Sequence, residues 1–149
     1  HQQRDHVPLT LSVRRSDYPG DASWRLAEWC LDRGATEFRL EFLVAGDVGP
    51  STFADIDATL KPFRVPDAED RFVFSRNSLV VLRTLFPDGL LANLMGGDAW
   101  VEDPTFYRSG VPLLEVISHE GEGVLTVEPA DQTSLDALAL PYHPRGVWV

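Results

Sequence analysis

The sequence predicts an α+β fold, with a largely antiparallel sheet of about six short strands and about four helices packed mainly on one face. Three observations support this. In the first half of the chain, segments whose hydrophobic residues alternate as in a strand are followed by segments whose hydrophobic residues recur as in a helix. The C-terminal half carries short β-rich runs between turn residues, which is typical of a β-meander. The 149 residues, 44% of them hydrophobic, have the length and composition of a single globular domain, residues 1–149.

The first elements are a strand, a helix and a strand. Alternating Val and Leu side chains over residues 7–13 predict a half-buried strand. Asp21 is a good N-cap for the next helix, which we expect to end at Gly34. Cys30 lies on the apolar arc of that helix and is predicted to be a small buried side chain. The strict alternation in residues 36–46 predicts the clearest strand of the chain.

The middle of the chain predicts two more helices around a short strand. Residues 51–61 read as a helix that begins at Ser51 and ends at Pro62, and residues 71–75 as a short strand. Ser75 or Asn77 then caps an apolar helix that stops at the sequence PDG. Residues 90–97 fit a helix or a strand equally well.

The last third predicts the meander. Short strands are expected within residues 105–110, 111–118 and 123–129. The stretch of residues 96–110 is expected to be a long loop before the first of these strands begins. A last short helix within residues 130–141 is expected to be capped by Thr133. The apolar end, residues 147–149, is predicted to dock on the core. At the other end, residues 1–5 are expected to be disordered or a tag remnant.

Charge and cysteine content exclude several functions. With 23 acidic against 13 basic residues, the net charge of −10 disfavours nucleic acids and anionic membrane surfaces and permits attraction to a basic protein partner. The alternative, and the more common case, is that the acidity only keeps the protein soluble. A single cysteine forms no intramolecular disulfide and no multi-thiolate zinc site, so we predict neither a cofactor nor a metal, and a cytoplasmic location. No apolar run is long enough to span a membrane. The sequence does not predict the oligomeric state.

The stretch HEGE, residues 119–122, raises the question of a reactive centre. We interpret it as the polar connection of a β-hairpin, with Ser118 opposite Gly123 and Gly121 supplying a positive φ. Two alternatives stay open. His119 with Glu120 or Glu122 is a weak candidate for a catalytic acid/base pair. The same residues would bind a metal only with ligands borrowed from distant histidines, and the HExxH pattern is absent.

One stretch carries residue types that are enriched at protein contacts. In residues 96–110 we predict a partner-binding surface formed by Trp100, Glu102, Asp103, Tyr107 and Arg108. The competing interpretation is that the aromatic residues pin a long connection to the core. Elsewhere, residues 44–52 form a strand-to-helix turn without the lysine of a phosphate-binding loop.

Two functional hypotheses follow. The first is a non-catalytic acidic interaction module that binds a protein partner, such as a bacterial inhibitor or immunity-type protein that neutralises a basic enzyme. The alternative is a small enzyme or ligand-binding domain, with a site where His119, Glu120 and Glu122 gather near Arg39, Arg108 or Asp103. A deep pocket that holds several of these groups would favour the enzyme.

Overall fold

The computed structural model describes residues 8–44, 56–92, 94–96 and 99–145, and leaves aside the side chains of residues 43–44, 94–96 and 99–100. The described strands are β1 Leu9–Arg14, β2 Glu37–Val44, β3 Arg71–Val73, β4 Leu94–Gly96, β5 Ala99–Arg108, β6 Val111–Ile117, β7 Glu122–Val127 and β8 His143–Pro144. They form one antiparallel sheet in the order β3-β2-β5-β6-β7-β1-β8, with β4 paired to β5. The predicted α+β class is confirmed, with more strands than expected.

Four helices accompany the sheet in the described ranges. They are α1 Trp24–Asp32, α2 at residues 56–60, α3 Arg76–Leu85 and α4 Pro129–Ala137. Ser75 caps α3 as predicted, because its side chain accepts from the Ser78 N–H and the Ser78 hydroxyl accepts from the Ser75 N–H in return. Residues 61–63 continue α2 as a 3-10 turn that contains Pro62.

The hydrophobic core lies between one face of the sheet and the helices. A row of buried side chains, aligned by strand pairing, crosses six strands: Phe72, Phe38, Phe106, Leu114, Leu125 and Leu11. Helix α1 covers this row with Trp24, Trp29 and Cys30, all almost fully buried. The prediction for Cys30 is therefore confirmed, and burial raises the pKa of its thiol, which makes the thiol unreactive.

The opposite face of the sheet is polar. The neighbouring row of paired residues contains Arg71, Arg39, Thr105, Glu115, Val124, Ser12 and His143. We call the side of the sheet that carries this row the polar face. The alternation that separates it from the core is the period of two of a half-buried strand.

The expectation of a loop over residues 96–110 is wrong, because β5 begins at Ala99 and runs to Arg108. Pro104 lies within this strand, although proline has no N–H for the ladder. The structure accommodates it at a bulge, where the register with β2 shifts between Arg39 and Glu41 and Asp103 adopts a positive φ of 52°. On the other side of β2, the amide of Leu40 donates to the Asp70 carbonyl and so continues the pairing of β2 with β3.

Two predicted helix caps are also wrong. Asp21 lies inside a 3-10 turn, Gly20–Ser23, that precedes α1, and its carboxylate binds Arg83 instead. Helix α4 begins at Pro129, so Thr133 lies within the helix and donates to the Pro129 carbonyl. In both cases the sequence showed a polar residue near the start of a helix, but the helix begins at a different residue from the one expected.

Several predictions fall outside the described residues. They concern residues 1–5, the Ser51 cap, the turn over most of residues 44–52 and the docking of residues 147–149. The ambiguous residues 90–97 are described in part, and residues 94–96 form strand β4.

Candidate functional site

The HEGE stretch is the connection of a β-hairpin, as predicted. Ser118–Glu120 form a 3-10 turn between β6 and β7, and Gly121 ends it with a φ of 63°. His119 and Glu120 are exposed. Within the described ranges His119 makes no hydrogen bond and no ion pair, so nothing there orients its imidazole for proton transfer.

The register of this hairpin differs from the predicted one by two residues, because Gly123 was expected opposite Ser118. Ile117 pairs with Glu122 and Val116 with Gly123, so Glu122 is the first residue of β7 and not part of the turn. Its carboxylate is held by the Ser12 hydroxyl, at 2.7 Å, and by Arg145, at 3.4 Å. Glu122 therefore helps to join β7 to β1 through its bond with Ser12.

The residues of the enzyme hypothesis fall into separate places: Glu120 and Glu122 line one open groove, Arg39 and Asp103 line another, and His119 lines neither. Asp103 lies beside the turn, where it exchanges two 2.9 Å hydrogen bonds with Ser118, one from each backbone N–H to the other side chain. Arg39 binds Asp70 instead, at 2.9 Å. Arg108 belongs to a separate cluster on the helix side. An acid/base centre on His119 remains a prediction for which this geometry offers no support.

Arg108, predicted to bind a partner, is held in a buried ion-pair cluster with Asp131. The Asp131 carboxylate accepts two bonds from Arg108, at 2.9 and 2.7 Å, one from Arg33 at 2.8 Å and one from the Glu128 N–H at 2.9 Å. Its side chain is 2% exposed. Burial alone would raise the pKa of Asp131, but the bonds from Arg108, Glu128 and Arg33 outweigh it and hold the pKa well below its usual range.

The two aromatic residues of the predicted contact surface differ in what the structure describes. Tyr107 lies on the polar face, partly exposed, with the Arg71 guanidinium stacked 4.1 Å from its ring centre. The backbone of Trp100 pairs with Leu43 and Met95, and its side chain is one of those that the structure does not describe. A contact role for either residue stays a prediction.

An acidic cluster lies on the polar face near the β5 bulge. Glu41 on β2 is the direct cross-strand partner of Glu102 on β5. Glu41 also lines one groove with Glu69 and a second groove with Glu115. We call these four glutamates, Glu41, Glu69, Glu102 and Glu115, the acidic patch. None of the four forms an ion pair with another described residue.

Two grooves flank Glu41. The first, of about 520 Å³, runs between Glu41 and the segment with Glu69 and Asp70. The second, of about 420 Å³, runs between Glu41, Asp103 and Glu115. Both are open clefts of the size that one or two side chains of a partner fill. Carboxylates line their walls, together with Arg64 in the first groove and with Arg39 and Arg145 in the second.

The arginines nearest to the acidic patch are already bound to other carboxylates. Arg39 binds Asp70, Arg64 binds Asp57 and Arg145 binds Glu122. The hydrogen bond that Arg39 donates to the Asp70 carboxylate is the main reason why the pKa of Arg39 is raised. The patch glutamates therefore keep negative charge without a dedicated cation.

Other kinds of site are not evident in the described ranges. No group of three or more His, Cys, Asp and Glu side chains is placed to hold a metal ion there. Among the helices of those ranges, none has the length and apolar character to cross a bilayer.

Comparison with known proteins adds no assignment: no family model, curated protein or solved structure matches the chain.

Sequence reasoning found part of the acidic patch and missed the rest. Glu102 was predicted, but Glu41, Glu69 and Glu115 lie on other segments, and only strand pairing brings them together. Asp131 was also missed. A local signal for it exists, since Glu128-Pro129 followed by an acid at the third helical position is a helix-start pattern, but its arginine partners are far away in sequence.

Proposed function

We propose that the protein is a non-catalytic interaction module whose acidic patch binds a basic surface of a protein partner. An inhibitor or immunity-type protein that blocks a basic enzyme is the functional class that fits best. The observation that carries the proposal is the Glu41–Glu102 pair on neighbouring strands of the polar face, in which neither carboxylate forms an ion pair with another described residue.

The pair is unfavourable for the isolated chain. Like charges placed directly opposite each other on an antiparallel pair destabilise the sheet. Solubility alone does not require this placement, because exposed carboxylates elsewhere on the chain supply negative charge without facing each other. A cationic side chain from a partner would convert the repulsion into attraction on binding.

The grooves beside Glu41 support the same proposal. A partner's arginine or lysine that enters either groove meets carboxylates on the walls, and apolar atoms of Phe42 or Ile117 lie along them. Such a side chain buries its aliphatic stem while its charge reaches oxygen. The net charge of −10 would accelerate the encounter with a basic protein.

The double variant Glu41→Gln/Glu102→Gln is expected to be at least as stable as the wild type. Removing the cross-strand repulsion should raise the free energy of unfolding at pH 7 by about 0.2–1 kcal/mol. Urea denaturation at pH 7 measures the change. A clear loss of stability would mean that the two carboxylates have favourable partners, and the premise of the proposal would be wrong.

Association with the partner is expected to be salt-sensitive. The immobilised protein, incubated with a lysate of its native host, should retain proteins of high isoelectric point that elute as sodium chloride rises from 0.1 to about 0.5 M, because salt screens charge attraction. Mass spectrometry identifies the eluted proteins. Retention of only acidic or neutral proteins, or of basic proteins that resist high salt, would contradict the proposed mode of binding.

A further inference from the structure

We infer that a second site, independent of the acidic patch, binds a small oxyanion between Arg14, Arg15 and Ser16. These residues line one side of an open groove of about 640 Å³, and Glu120, Gly121 and Glu122 line the other side. The groove lies at the end of β1, beside the hairpin turn. Its ligand would be a phosphate or carboxylate group on a small molecule.

The first argument is that the two arginines have no acidic partner. Most arginines of this acidic chain form ion pairs: Arg33, Arg39, Arg64, Arg71, Arg76, Arg83, Arg108 and Arg145. By contrast, the side chains of Arg14 and Arg15 form neither an ion pair nor a hydrogen bond with another described residue. Arg14 and Arg15 line the same groove, and guanidinium groups that no carboxylate occupies are the usual means of binding an oxyanion.

The second argument concerns Glu122, the natural partner of Arg14. The two residues are directly opposite each other on β7 and β1. However, one carboxylate oxygen of Glu122 accepts from Ser12 and the other faces Arg145. Glu122 is therefore already neutralised, and the charge of Arg14 remains available to a ligand.

The third argument is that the turn holds Arg15 in place. The backbone N–H of Arg15 donates to the Gly121 carbonyl at 2.8 Å, and its side chain lies across Gly121. A Cβ on residue 121 would come within 3.2 Å of the Arg15 Nε, so glycine leaves room for the guanidinium. The hydrogen bond fixes the backbone of Arg15 relative to the turn, so the start of its side chain is already placed at the groove before a ligand binds.

The charge of Glu120 at the edge of the groove limits which ligands fit. Glu120 is exposed at the far side and would repel a second negative group. It would accept a hydrogen bond from a hydroxyl or ammonium group instead. We therefore expect a compact ligand with one phosphate or carboxylate and, next to it, a hydrogen-bond donor, as in a hydroxy acid, an amino acid or a phosphorylated alcohol.

The test is a titration of the ¹⁵N-labelled protein, followed by NMR, at a constant ionic strength of about 0.15 M, where the rest of the protein's charge is largely screened. The probes are inorganic phosphate, glycerol phosphate and lactate, with sodium chloride as the blank. We expect saturable shifts in the amides of residues 14–16 and 120–122 with at least one phosphate or carboxylate probe. The stronger probe tells which oxyanion the site prefers.

Variants make the assignment specific. Arg14→Gln/Arg15→Gln should weaken binding at least tenfold, whereas the charge-matched control Lys61→Gln/Arg76→Gln should bind as the wild type does. Circular dichroism verifies folding, and Arg15→Lys is the milder variant if the double variant does not fold. Shifts that are absent, spread over the surface, equal to those in sodium chloride or unchanged in the Arg14/Arg15 variants would overturn the proposal. The acidic patch is untouched by these changes.

Discussion

Replacing Asp131 by Asn is expected to lower the free energy of unfolding by about 3 kcal/mol, because it removes one partner from a buried charge cluster. The carboxylate is 2% exposed and accepts bonds from Arg108, Arg33 and the Glu128 N–H. The variant would leave both guanidinium groups short of an anion and would also weaken the start of α4. Partial exposure of the two arginines keeps the loss at the low end of the range for such pairs.

The dependence on pH gives this prediction a signature. Because the pKa of Asp131 is lower in the folded protein than the ordinary value of about 3.9, the cluster stabilises the fold fully above that value. The stabilisation is lost as the pH falls from about 5 toward the folded pKa. The difference between wild type and variant should therefore shrink on acidification.

Urea denaturation of both proteins between pH 7 and pH 3 measures the effect. Glu28→Gln, at an exposed position on α1, is the matched control and should change little. A difference that stays constant with pH, or a loss no larger than that of the control, would show that Asp131 does not gain its stability from ionisation.

Replacing Gly89 by Ala is expected to destabilise the fold by about 3–5 kcal/mol, because steric overlap and backbone strain add. A Cβ at residue 89 would lie 2.3 Å from the Gly20 carbonyl oxygen and 2.7 Å from the Ser23 Oγ, and the φ of +111° already disfavours an L-residue. The close approach matters because the Leu90 N–H donates to the same Ser23 Oγ at 2.6 Å.

Gly20→Ala separates the two causes. Gly20 has a φ of +57°, but a Cβ there meets no atom within 4 Å, so only the strain of about 1 kcal/mol remains. Equilibrium unfolding of the two variants side by side measures the difference. Equal stabilities would mean that the turn after α3 moves away from the start of α1 without loss.

The sequence largely predicted which segments form strands and which form helices. It did not predict at which residues several of these elements begin. The alternation of Phe38, Leu40 and Phe42 predicted β2, and the Ser75 cap predicted α3. Local signals failed where distant groups decide. Asp21 looked like a cap, but Arg83 holds its carboxylate. Residues 99–104 were expected in a loop, but they belong to β5, whose bulge depends on its pairing with β2.

The candidate site was less predictable because it depends on pairings between distant segments. Glu41 and Glu102 are far apart in sequence and become neighbours only in the register of β2 with β5. Likewise, Arg108 was expected at a contact surface because of its residue type, and its ion pair with Asp131, 23 residues away in sequence, gave no local signal. Composition predicted an acidic surface, but it could not tell which carboxylates would remain without a cation.

The most direct test of the central claim is the affinity of the captured basic partner for the variant Glu41→Gln/Glu102→Gln. Isothermal titration calorimetry should compare it with the wild type and with Glu28→Gln/Asp88→Asn, which removes the same charge from exposed positions on α1 and in the turn after α3. We predict that the patch variant binds at least about tenfold more weakly and the control within about threefold of the wild type. Equal affinities for all three proteins, or equal losses in both variants, would contradict the account.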